Sequence, residues 1–170
     1  MSILVPDTSG LVSLGIVAGE PPDPLSMCLT RYDVVVPTVV IDELRDIAAY
    51  DDAHGRAAER VLDRTDSMTI QSVVLDEAFP LDDGENAAVS LANEIDAAVL
   101  LCDEFTQIGI LHASLADTRL ITTPTLLSVL VRTDTLPSEE ARTLLAEISE
   151  DRSWSANSYV QRARSLLTEE

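Results

Sequence analysis

The sequence predicts an α/β domain: a three-layer α/β/α arrangement around a mostly parallel central sheet. Short apolar runs at 3–5, 33–36, 68–70, 97–102 and 119–121 read as strands and alternate with stretches of helical periodicity. That alternation calls for crossover helices covering both faces of one sheet. The 170 residues are 46% apolar but only 4% aromatic, so the core is built from Leu, Val, Ile and Ala. Acidic residues recur where apolar runs stop, and in open α/β sheets the C-terminal strand ends are where ligands collect.

The first strand, Ile3–Val5, stops at Pro6 and Asp7, with Thr8, Ser9 and Gly10 behind them. Asp7 has two readings: cap of a helix beginning near Ser9, or the first acid of a site. SGLVSLGIVAG reads as a short helix that Gly19 ends. Pro21, Pro22 and Pro24 make residues 20–26 a loop, and MCLTRYD is a helix end or connector. YDVVVP is a buried strand closed by Pro37. From about Val39 a helix places Val40, Leu44 and Ile47 on one face, with Glu43 close to it. Glu43 either points at that buried side, which demands a partner, or sits on the wet edge near the helix start.

A second helix is broken or begun around Gly55. Its Arg56, Arg60 and Arg64 recur at four-residue spacing, as a solvated ion-pair face or a guide for a phosphate backbone. His54 reads as a surface histidine. A strand at Met68–Ile70 leads to a connector of unassigned form. In LDDGENAAVSLA, Asp82 or Asp83 caps a helix containing Glu85, Ala88, Leu91 and Ala92. AAVLLCD is a buried strand ending at Asp103 and Glu104, with Cys102 a buried small residue. FTQIGILHASLA is a helix, DTRLITT a short strand, and TPTLLSVLVRTDTL a helix with Pro124 in its first turn. Ser138 is positioned to cap the next helix, PSEEARTLLAEISED. The last helix, near Ser155–Leu167, carries Tyr159, Val160, Ala163 and Leu166 or Leu167 as its apolar residues, and Trp154 packs it onto the domain.

The composition narrows the classes. No apolar run approaches the roughly 18 residues of a membrane helix, the start of the chain lacks signal-peptide character, and Cys28 and Cys102 form neither a disulfide framework nor a metal motif. These features point to a cytoplasmic protein with no membrane partner. Eleven Arg, no Lys and thirty Asp and Glu give a net charge of −19. At low salt such a surface repels itself and phosphate backbones; in molar salt screening falls to about 3 Å. The composition resembles that of proteins from salt-accumulating archaea, and a haloarchaeal source is the expectation.

Asp7 and Asp103 follow strands directly, while Glu43 and Glu85 lie in opening helical turns. If those strands are neighbours, the four acids converge at one end of the sheet. Like charges so gathered raise one another's pKa, and a hard divalent cation relieves that cost. Oxygen-only ligands favour Mg²⁺ or Mn²⁺, which activate water and stabilise charge on a phosphoryl oxygen. Phosphodiester hydrolysis fits this equipment. No Ser–His or Cys–His arrangement and no Gly-Lys-Ser/Thr phosphate loop offers an alternative chemistry.

VPDTSGLVSL, VVIDEL, LDDGENAAVSLA and VLLCDEFTQIGILHA, in that order, resemble the motifs of PIN-domain proteins. The likeness covers about residues 2–136. It implies a PIN-like core over 1–136, with helices at 137–170 packed on the same domain. PIN domains are mostly metal-dependent endoribonucleases, many of them VapC-type toxins of toxin–antitoxin pairs. Carried over, Asp7, Glu43, Glu85 and Asp103 match the acidic catalytic and metal site, Thr8 or Ser9 supports the first acid, and Glu104 is an accessory acid. Arg56, Arg60 and Arg119 are the candidate RNA contacts. The resemblance implies an RNA substrate, an antitoxin partner and a homodimer. The alternatives are a non-catalytic PIN-fold interaction module, an RNA-processing nuclease without a toxin role, and a phosphatase-like hydrolase.

Overall fold

A computed structural model describes residues 1–154 and 156–169. Five parallel strands form one sheet in the order β3-β2-β1-β4-β5, built from β1 (Ile3–Pro6), β2 (Asp33–Pro37), β3 (Thr69–Gln71), β4 (Val99–Leu101) and β5 (Arg119–Ile121). Leu4 pairs with both Val34 and Val99, so β1 is the centre of the sheet. The order reverses between β1 and β4, which opens a crevice at their C-terminal ends. Asp7 and Asp103 stand on either side of that crevice. The expected α/β/α arrangement with a parallel sheet is the observed one.

Side-chain alternation along the strands divides the core in two. Leu4, Val34, Val36, Leu101 and Ile121 face one layer. That layer contains α1 (Thr8–Ile16), α2 (Pro24–Arg31), α3 (Thr38–Ala48), α4 (Ala53–Leu62), α7 (Thr123–Arg132), α8 (Ser138–Arg152) and α9 (Ser158–Glu169). Val5, Val35, Leu100 and Cys102 face the other, where Ala88, Val89, Leu91 and Ala92 of α5 (Asp83–Glu94) and Leu111 of α6 (Ile108–Ser114) pack. The alanines of α5 let its axis lie close to the strands. α1 and α4 approach as closely: a Cβ at Gly15 would stand 2.4 Å from the Ala57 carbonyl oxygen. No helix among the described residues is long and apolar enough to cross a membrane.

Two local expectations change. The proline-rich segment contains α2, because Asp23 accepts hydrogen bonds from the Leu25 and Ser26 amides and Pro24 occupies the first helical turn. Ser138 is the first residue of α8 rather than its cap; Pro137 precedes it, and no side chain caps that end. Tyr159 is 51% exposed, although its ring stacks on Phe105 at 5.8 Å. Trp154 is buried against the same Phe105, edge to face at 5.1 Å.

Candidate functional site

Asp7 ends β1 and caps α1. Its Oδ1 accepts from the Gly10 amide at 2.9 Å and the Ser9 hydroxyl at 2.7 Å, and its Oδ2 accepts from the Cys102 thiol at 3.0 Å. The carboxyl is 3% exposed. Burial pushes its pKa up to about 6 despite these three donors, and the Asp103 charge adds to the rise. The helix-cap reading of Asp7 therefore describes its hydrogen bonding, while its position at the crevice also puts it on a pocket wall.

Asp103 faces elsewhere. Its Oδ1 accepts from the Thr123 amide at 2.7 Å and its Oδ2 from the Thr123 hydroxyl at 2.5 Å, so both oxygens are tied to the start of α7. Burial raises its pKa and these bonds oppose the rise. Its own amide donates to the Ser9 hydroxyl oxygen at 2.9 Å. Ser9 thus links the ends of β1 and β4.

Glu43, on α3, is half-buried, between the two placements its spacing allowed. Thr8 donates to its Oε1 at 2.5 Å. Burial raises its pKa, and Asp82, Asp83 and Asp46 raise it further. Gly84, in the first turn of α5, faces Glu43: a Cβ there would lie 2.0 Å from Oε1 and would push the carboxylate aside. Asp82 caps α5 by accepting from the Glu85 amide at 2.9 Å. Glu85 is buried, and the backbone amide of Asp82 donates toward its carboxylate, which favours the charged form. Burial, then Asp82 and Asp7, push its pKa up to about 7. Glu104 accepts from the Thr106 amide and hydroxyl.

These residues line an open pocket of about 410 Å³ at the sheet's C-terminal end. Asp7, Glu43, Asp46, Asp82, Glu85 and Glu104 contribute carboxylates, and Arg152 is the cation on its wall. Three of the four anticipated acids come together there; Asp103 lies behind them, turned to Thr123. Among the described residues, no three or more His, Cys, Asp or Glu side chains are grouped so as to hold a metal ion.

That finding corrects the expected chemistry. The proposed Mg²⁺ or Mn²⁺ site on Asp7, Glu43, Glu85 and Asp103 does not fit the donor geometry, and the metal-dependent ribonuclease and toxin reading built on it falls with it. The reason is local. Asp103 spends both oxygens on Thr123, Asp7 is held by Ser9, Gly10 and Cys102, and Glu43 is held by Thr8. These hydrogen bonds take up part of the oxygens' acceptor capacity and fix the acids apart from a common point among the described residues.

Of the anticipated basic contacts, Arg56 pairs with Asp51 at 3.6 Å and Arg60 donates to the Gly15 carbonyl at 3.1 Å. Arg119 lines a separate groove at the β5 edge. Arg64, just beyond the end of α4, bridges to Asp23 at 2.7 Å and fastens that segment to the start of α2. Two site features escaped the sequence reading: Thr123 as the partner of Asp103, and Arg152 on the pocket wall. A Thr one residue before a helical Pro was the available signal for the first; nothing local marked the second.

A comparison with curated proteins finds no match. The family model described as DUF3368, PIN domain, matches residues 3–169, nearly the whole chain. With this match over a five-stranded parallel sheet and an acidic crevice, the chain belongs to the PIN-domain family.

Proposed function

We propose that this chain is a non-catalytic PIN-fold interaction module whose acidic pocket receives a cationic side chain of a partner protein. The observation that carries this reading is the pocket: six carboxylates line it without converging on a metal geometry. Burial, and after it the neighbouring carboxylates, raise the pKa values of Asp7, Glu43 and Glu85 and make their charged forms costly. A guanidinium or ammonium entering the pocket lowers that cost by placing a positive charge beside several carboxylates at once. Glu85, on the pocket lining beside Asp82 and Asp7, is the first contact for it.

The partner is a protein, either a separate small chain of the antitoxin kind found beside VapC-type proteins or a second copy of this one. The core at 1–136 and the helices at 137–170 act as one unit in this reading, because Arg152 of α8 stands on the pocket wall. A haloarchaeal source and a cytoplasmic location accord with thirty acids, eleven arginines and no lysine.

The test uses a short arginine-bearing peptide and its citrulline counterpart, which keeps the shape and loses the charge. Saturable binding of the first, absent for the second and weakened about tenfold or more by Glu43→Gln with Glu85→Gln, supports the reading. Equal binding of both peptides, or indifference to the substitutions, contradicts it.

A further inference from the structure

We propose that the open edge of β5 is a second docking surface, which takes an extended acidic segment of a partner protein. A groove of about 490 Å³ runs along this edge between α6, α7 and α9. Arg119, Arg132 and Arg162 line it, all three exposed, together with His112. No carboxylate lines it among the described residues, although the whole chain carries a net charge of −19. Other arginines, such as Arg56, Arg60 and Arg64, are committed within the fold. Arg119, Arg132 and Arg162 have no ion-pair partner among the described residues. Concentrating uncompensated positive charge in one trough of an acidic molecule selects an anionic ligand by charge complementarity.

The rest of the lining says which kind. Leu120, Tyr159 and Leu166 give the groove an apolar component, with Tyr159 51% and Leu166 44% exposed. β5 is an edge strand whose inner side is satisfied: the Arg119 amide donates to the Ala98 carbonyl at 3.0 Å, and the Ile121 carbonyl accepts from the Cys102 amide at 2.9 Å. Main-chain groups alternate sides in a parallel ladder, so the Leu120 N–H and C=O point to the open edge. A peptide strand supplies the matching carbonyl and amide, apolar side chains for the floor and carboxylates for the arginines. A nucleic acid supplies the negative charge but not the paired main-chain groups, and its length would carry it across the acidic surface beyond the groove.

This surface shares no lining residue with the acidic pocket, so it stands or falls separately from the proposed function. The test measures fluorescence anisotropy with a short labelled peptide of alternating Glu and Leu. The comparison probes are the same peptide with Lys for Glu and an oligouridylate of equal charge, all at a salt concentration where circular dichroism shows the chain folded. The Glu peptide is expected to bind saturably and the other two not. Arg119→Glu with Arg162→Glu weakens it about tenfold or more, Leu166→Ser weakens it with the groove's charge unchanged, and Glu85→Gln leaves it unchanged. Absence of Glu-peptide binding to the parent chain overturns the inference, as does equal binding to the arginine variants in their folded form. Arginine-dependent binding of the oligouridylate alone replaces the peptide with a nucleic acid. A concentration-dependent dimer in sedimentation, abolished by Arg132→Glu and blocking the peptide, replaces the separate partner with a second copy.

Discussion

Thr123 holds both oxygens of Asp103, through its amide at 2.7 Å and its hydroxyl at 2.5 Å. The carboxylate that follows β4 is thereby a clamp on the start of α7, with neither oxygen turned into the crevice. Thr123→Val removes the hydroxyl and leaves a buried carboxylate one donor short. The expected loss is about 1–3 kcal/mol in unfolding free energy, read as a lower denaturant midpoint at unchanged slope. Thr123→Ser keeps the hydroxyl and restores most of it. Equal midpoints for the Val variant and the parent contradict the clamp.

The pocket carboxyls set a pH dependence whose sign follows from their raised pKa values. Asp7 and Glu85 titrate at about 6 and about 7 in the folded chain, against ordinary values of 3.8 and 4.5. Between those limits the folded state holds more protons than the unfolded one, so stability falls as pH rises from about 4 to 7 and levels off above. Glu85→Gln removes part of that slope and stabilises the chain at pH 8 by roughly 1–2 kcal/mol. Unfolding curves across this pH window give the slope directly; an unchanged slope in the variant refutes the assignment.

Gly15 sits where α1 meets the backbone of α4, with room for no Cβ beside the Ala57 carbonyl. Gly15→Ala forces the two helices apart and is expected to destabilise the fold by about 1–3 kcal/mol, despite the better helix propensity of alanine. A thermal midpoint equal to or above the parent's would show that the helices yield without cost.

Both cysteines are expected to resist alkylation in the folded chain. Burial pushes the Cys28 thiol up to about 12 and also raises Cys102, whose proton is directed at Asp7. Iodoacetamide labelling should track unfolding. Rapid modification of the native protein at pH 7.5 would show that the Asp7–Cys102 contact opens.

Much of the centre of the sheet was legible because β1 and β2 are short apolar runs closed by Pro6 and Asp7 and by Pro37, whereas β3, Thr-Ile-Gln, and β5, Arg-Leu-Ile, carry little such signal. Ile3–Val5 and Val34–Val36 are strands on that evidence alone. The acids at strand ends were legible for the same reason, and three of the four anticipated do share a pocket. Their hydrogen-bond partners were not legible. Cys102 is 95 residues from Asp7 and Thr123 is 20 from Asp103, so only the strand order brings them together. A carboxylate at a crevice reads the same in sequence whether it faces a cation or a threonine. α2 was hidden by its prolines, since a breaker and a first-turn proline are the same residue until the cap at Asp23 is seen.

The most direct test is calorimetric titration of the parent chain with Mn²⁺ and, separately, with the arginine-bearing peptide. A saturable heat for the peptide, lost on Glu43→Gln with Glu85→Gln, and no saturable heat for Mn²⁺ at millimolar concentration are the expected results. Saturable Mn²⁺ binding abolished by Asp7→Asn or Asp103→Asn in folded protein would contradict the central claim and return the pocket to metal chemistry.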